Sequence, residues 1–224
     1  MSRAEQLLLD LGHRAALGAE DFLPAPCNQE ALAWLARWPD WPAPGLVLVG
    51  PEGCGKTHLA RIFAAYADAA WLEPAAMRQP GAAPEARVLI LDPADPVLDE
   101  EGLLHGYNLQ RERGGHLLLT ARRPVAAWAI RLPDLASRLR ALPAVEVRAP
   151  DDALLAAVLM KLFQDRQLHV SDGVIAYLVQ RMERSFAAAR RIVAALDALS
   201  LQRQRAVTVV MVRDLLNGTA SQEN

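Results

Sequence analysis

The sequence predicts an α/β domain on a five-stranded parallel sheet, followed by a small all-helical lobe. Three observations carry that expectation. Short apolar runs ending on Gly or Asp alternate with helical periodicities to about residue 149, the pattern of a parallel sheet with crossover helices. The first run leads directly into Gly50-Pro51-Glu52-Gly53-Cys54-Gly55-Lys56-Thr57, which fits G-x-x-x-x-G-K-[ST] in full between a strand and a helix. After Pro150 the strand signals stop and only helices follow.

Taken in order, residues 1–20 read as a flexible arm, and Glu30 to Trp38 as a short helix closed by a proline-rich turn. Gly45 to Val49 is apolar throughout, as in a strand buried on both faces. From His58 onward Leu59, Ile62, Phe63 and Tyr66 recur at helical spacing. Ala70-Trp71-Leu72 is a second short strand, and a Pro/Gly/Ala-rich loop covers 74–86. Val88 to Leu91, ending on Asp92, is a third strand, and residues 99–113 suit a helix. His116 to Thr120 and Val145 to Val147 complete the sheet, giving an α/β domain over 21–149.

The lobe spans 150–218, with a tail at 219–224. Asp151 or Asp152 caps its first helix to about Gln167, and Ser171 a second to about Arg184. A third runs from Phe186 to Gln204. The β-branched stretch after Thr208 could pass for a strand, but its Thr cap and Asn217-Gly218 predict a helix closing at Gly218.

Composition narrows the function. The chain is 52% apolar and 22% charged with a net charge of −2, which is ordinary for a globular protein and unlike a dedicated nucleic-acid binder. No run is long enough to span a bilayer. The apolar stretch near the N-terminus is too short for a signal peptide and is interrupted by Asp10, so a cytoplasmic location is expected. Cys27 and Cys54 suit neither a disulfide framework nor a metal site.

Of the 24 basic residues only Lys56 and Lys161 are lysine. A lysine kept at position 56 in so arginine-rich a chain points to work that a forked guanidinium does poorly. The glycines of the loop let backbone N–H groups curl around phosphates, and the following helix directs its dipole at the same anion. Lys56 would place a point charge at the β/γ oxygens. The Thr57 hydroxyl and, through water, Asp92 would hold Mg²⁺.

Six segments in order give the chain a family resemblance. Phe22-Leu23-Pro24-Ala25-Pro26-Cys27-Asn28, Gly55 to Leu59, Leu104 to Asn108, Leu118 to Pro124, Leu132 to Leu139 and Ala189 to Asp197 together resemble the AAA+ core of the bacterial initiator family, DnaA, and most of all its short Hda-type regulatory members. The resemblance implies a P-loop AAA+ domain with a helical lid that takes ADP or ATP with Mg²⁺ through Gly50 to His58, Asp92 and the sensor-2 residue Arg190. It also implies that Arg138, in Leu132-Pro133-Asp134-Leu135-Ala136-Ser137-Arg138-Leu139, is an arginine finger acting in trans. An ordinary surface ion pair between Arg138 and Asp134 fits the same residues.

Gln6-Leu7-Leu8-Leu9-Asp10-Leu11 resembles the hexapeptide with which Hda-type proteins bind the DNA polymerase III sliding clamp (beta), with Gln6, Leu7, Leu9 and Leu11 as contacts. An amide for a groove rim and spaced leucines for a cleft suit a tethered peptide ligand. The implied partners are that clamp and the initiator DnaA, with a homodimer left open and no membrane. The implied function is regulation of replication initiation by promoting hydrolysis of initiator-bound ATP. The alternative is a helicase loader or adaptor on the same core.

Three departures qualify the resemblance. Pro93 replaces the polar or acidic residue usual after the strand Asp, so weak intrinsic ATPase at most is expected. Arg122 stands where the sensor-1 turn often carries an acid. About fifteen residues separate Leu72 from Val88, too few for the helices with which an initiator handles single-stranded DNA. The sequence also stops at Asn224, before an initiator's DNA-reading helices, so no direct sequence-specific DNA binding is expected.

Overall fold

In a computed structural model of the 224-residue chain, residues 24–73, 75, 84–96 and 99–220 are described. Gln6, Leu7, Leu9 and Leu11 lie outside them. The elements in order are α1 (Gln29–Ala36), β1 (Gly45–Val49), α2 (Lys56–Ala67), β2 (Ala70–Trp71), β3 (Val88–Leu91), α3 (Glu100–Glu112), β4 (His116–Ala121), α4 (Pro133–Arg140) and β5 (Ala144–Glu146). The lobe adds α5 (Asp152–Asp165), α6 (Asp172–Arg181), α7 (Phe186–Arg203) and α8 (Val209–Ala220).

The five strands form one parallel sheet in the order β2-β3-β4-β1-β5. β4 therefore lies between β3 and β1, with Leu91 opposite Leu119 and Val49 opposite Ala121. All residues of β3 are buried, as are Leu46, Val47 and Leu48 of β1 and Leu117 to Ala121 of β4. Continuous apolar runs follow from burial on both faces. Each fully buried aliphatic side chain contributes about 1.5–3 kcal/mol relative to exposure.

Chain connectivity and compactness divide the molecule into two units. One comprises residues up to Pro51 and from Gly55 to Arg148; the other comprises Glu52–Cys54 and Ala149 onward. The second unit has its own core, including Leu155, Phe163, Leu178, Val193, Leu196 and Val212. Three of its four helices start on side-chain caps: Asp151 accepts the Leu154 N–H at 2.8 Å, Ser185 the Ala188 N–H at 3.1 Å, and Thr208 the Met211 N–H at 3.3 Å, whereas Ser171, expected to cap α6, stands at its N-cap position without a side-chain hydrogen bond. Each cap satisfies an amide that the first helical turn cannot.

Some boundaries differ from expectation. β2 stops at Trp71, although the Leu72 N–H still donates to Ile90 at 2.7 Å. α8 continues through Gly218 to Ala220, because a glycine weakens a helix without obliging it to end. The finger segment, to which sequence periodicity assigned no structure, is helix α4, opened by Pro133 in its first turn. Among the described residues no helix is long and apolar enough to cross a membrane.

Candidate nucleotide site and finger helix

The loop Gly50–Thr57 leaves the carboxyl end of β1 and enters α2. The Gly50 N–H donates to the Ala121 carbonyl at 3.1 Å, pinning the loop's start to the end of β4. Gly53 and Gly55 have φ of +74° and +106°, which side chains other than glycine rarely adopt. Within the second unit, the Phe186 N–H donates to the Gly53 carbonyl at 2.9 Å. A Cβ on Gly53 would come within 2.6 Å of the Ser185 Cβ.

Lys56 is buried at 8% exposure, and its ammonium donates to the Gly50 and Pro51 carbonyls at 2.8 and 2.7 Å. A buried cation must be paired with acceptors, and here its own loop's carbonyls supply them. Cys54 is also buried; Pro51, Glu52 and Thr57 are exposed, and His58 is half-buried.

Asp92 follows β3 directly. It is half-buried and accepts the hydroxyl of Thr120, a fully buried polar residue inside β4. The two strand ends that carry the loop and Asp92 flank β4, so they sit two strand spacings apart, roughly 9–10 Å. This is the carboxyl edge of a parallel sheet, where such folds place ligands. Among the described residues no group of three or more His, Cys, Asp or Glu could hold a metal. One hydroxyl and one carboxylate suit Mg²⁺, which keeps several waters and relies on substrate phosphates.

Beside Asp92, Pro93 is exposed and offers no proton acceptor. The nearest acid in the chain, Asp95, is buried at 5% exposure, and Arg123 forks onto both of its oxygens at 3.0 and 3.1 Å. The Arg123 carbonyl in turn accepts the Trp128 indole N–H at 2.8 Å. Asp95 is thus engaged structurally. Sequence reading missed Asp95 and did not single out Thr120; the available signal was polar residues next to, or within, otherwise apolar strands.

Arg190 lies exposed on α7 and makes no ion pair among the described residues. Arg138 lies on α4, where its Nε donates to Asp134 at 2.8 Å one turn back, and its guanidinium sits 5.6 Å from the Tyr107 ring centroid. The hydrogen bond to Asp134 raises its already high pKa. The ion pair weighed against the finger reading is therefore present. An exposed pair of this kind is easily exchanged for another anion.

Glu100, also missed in the sequence, opens α3 and accepts backbone N–H groups from Arg131 and Leu132. Those bonds hold its carboxyl below the usual range.

A parallel β2-β3-β4-β1-β5 sheet with a phosphate loop after β1, an acid after β3 and a helical lobe defines an AAA+ P-loop fold. Solved structures agree. Domain III of Thermotoga maritima DnaA superposes with a TM-score of 0.76 at 14% identity, over 90% of this chain and 96% of that one. AMPPCP-bound DnaA from Aquifex aeolicus gives 0.66 at 16% identity, over 82% and 67%. At these identities the likeness is one of fold. An uncharacterised protein of Haemophilus influenzae is 26% identical over 201 residues, 80% of this chain and 84% of that one. Residues 152–216 match the family described as Hda, lid domain. The lobe is therefore similar to the Hda lid, and the chain shares its AAA+ fold with domain III of DnaA.

Proposed function

We propose that this chain is a DnaA-related regulator of replication initiation that binds adenine nucleotide and Mg²⁺ itself and supplies Arg138 to the nucleotide held by DnaA. The observation that carries the reading is a phosphate loop with its lysine already buried and oriented, in a chain whose lobe matches the Hda lid. The loop amides and Lys56 would bind the phosphates, Thr57 and Asp92 would hold the ion, and Thr120 orients Asp92; the family resemblance assigns Arg190 the sensor-2 role. Mg²⁺ bound there would neutralise phosphate charge.

The chain's own hydrolysis is slow. Pro93 cannot position water, and Asp95 is committed to Arg123, so neither of these two residues serves as a general base. Single-protein turnover is expected to stay below about 1 per second, the low end for ordinary enzymes. A higher rate would remove the argument for a regulator without strong activity of its own.

Arg138 acts on a neighbour. Among the described residues its partners are Asp134 and Tyr107, and none belongs to its own phosphate loop. A guanidinium released from Asp134 presents a fixed fork of donors to a γ-phosphate and stabilises charge as the transition state forms. Residues 6–11 tether the protein to the sliding clamp, which concentrates it at replicated DNA.

The test is turnover of DnaA-bound ATP with and without this protein and clamp-loaded DNA. Stimulation that needs both is expected. Capture of replicative helicase instead of clamp and initiator would favour the loader reading.

A further inference from the structure

We propose that Glu100 is a positioning residue for Arg138, acting from α3 with Tyr107 to fix the helix that carries the guanidinium. The inference rests on reading Arg138 as a finger. α4 lacks a local cap: its N-cap residue is Leu132, whose side chain accepts nothing, and Pro133 has no N–H. The chain entering it is held from 31 and 32 residues away. Both oxygens of Glu100 accept the Arg131 N–H at 3.0 Å, and one accepts the Leu132 N–H at 2.7 Å. A carboxylate at that point also complements the positive end of α4.

Seven residues on from Glu100, Tyr107 occupies the same face of α3. It is buried, and its ring lies beneath the Arg138 guanidinium at 5.6 Å. One face of α3 therefore grips α4 at its start and again at the finger. Asp134 rides on α4 itself, so it can orient the side chain relative to the helix but cannot aim the helix. Glu100 and Tyr107 belong to another element and can. A finger contributes through placement, and a 1 Å error in such a group costs up to roughly 10²-fold in rate.

The experiment uses the full chain with Glu100→Ala, Glu100→Gln, Tyr107→Leu, Tyr107→Phe and Arg138→Ala. It measures the plateau of stimulated DnaA ATP turnover, the half-stimulating concentration, nucleotide binding by this chain, and the Arg138 Nε–H signal by NMR. Glu100→Ala is expected to lower the plateau roughly 10- to 100-fold with its own nucleotide binding unchanged and faster exchange of the Arg138 Nε–H. Glu100→Gln keeps a carbonyl acceptor and recovers most of the plateau.

If Glu100→Ala does not fold, the tyrosine pair decides: Tyr107→Phe keeps the ring and the stimulation, whereas Tyr107→Leu loses both, and equal plateaus overturn the proposal. A Glu100→Ala plateau equal to that of the unmodified protein, while Arg138→Ala abolishes stimulation, overturns this inference alone. Absence of stimulation by the unmodified protein overturns the finger reading and this inference with it.

Discussion

The phosphate loop and the finger helix are built by opposite means. The loop's shape resides in its own backbone: two glycines at positive φ and a lysine folded onto carbonyls five and six residues before it. The finger helix has eight residues and no cap of its own. Glu100 on α3 accepts the N–H groups at the finger helix's start, and Tyr107 on α3 lies under Arg138. On the proposed reading, a site that cradles a fixed anion gains from local rigidity, whereas a group offered to a partner can be aimed by a neighbouring helix. The loop should therefore be sensitive to changes within its eight residues, and the finger to changes far off in sequence.

The largest expected effect is in the loop. Lys56→Ala removes the charge that the proposed site would set nearest the β/γ oxygens. Charged hydrogen bonds contribute about 1.5–3 kcal/mol each, so ADP affinity is expected to fall by about 10²-fold or more, read by calorimetry. Affinity within about threefold of the unmodified protein would mean that the lysine serves the loop's fold and not its ligand.

Next comes a contrast between two glycines. Gly53→Ala meets both a left-handed backbone and a Cβ contact of 2.6 Å with Ser185. A loss of about 2–3 kcal/mol is expected from the strain and the clash. Gly114→Ala has φ +67° but nothing within 4 Å of its Cβ, so only the backbone cost of about 1–2 kcal/mol remains. Urea unfolding of both variants compares them directly. Equal losses would show that the Ser185 contact contributes nothing.

The smallest effect is one of pH, and it belongs to the finger region alone. Backbone N–H groups of Arg131 and Leu132 hold the Glu100 pKa below its usual value of 4.5. Its contribution is complete above that value and is lost as pH falls through the lower folded-state pKa. The unfolding temperatures of the unmodified protein and Glu100→Gln are expected to converge as pH falls below 4.5 and through the lowered folded-state pKa. A gap that stays constant as pH falls below 4.5 would remove the charge from the account.

What was legible in the sequence follows the same division. The loop, the strand ends and the capped helices of the lobe are local: spacing, glycine and cap residues specify them within a few positions. The two sheet edges and α8 shifted only at their ends. The helix Pro133–Arg140 was not legible, because eight residues give little periodicity and its anchor lies on another helix. Nor were the Thr120–Asp92 and Arg123–Asp95 pairs, each joining residues 28 apart through the order of strands. Arg138 was found only by its resemblance to a family element, and its partner Asp134 was read simply as a carboxylate nearby in sequence.

Arg138→Ala, assayed on DnaA-bound ATP with clamp-loaded DNA, tests the central claim most directly. The variant is expected to keep its fold, its own nucleotide and its clamp binding while losing stimulation. Fingers supplied in trans contribute about 10³–10⁵ in rate in other nucleotide hydrolases, so even a partial role would be measurable. Arg138→Lys is expected to recover little, since an ammonium lacks the planar fork. Stimulation by Arg138→Ala equal to that of the unmodified protein would contradict the account.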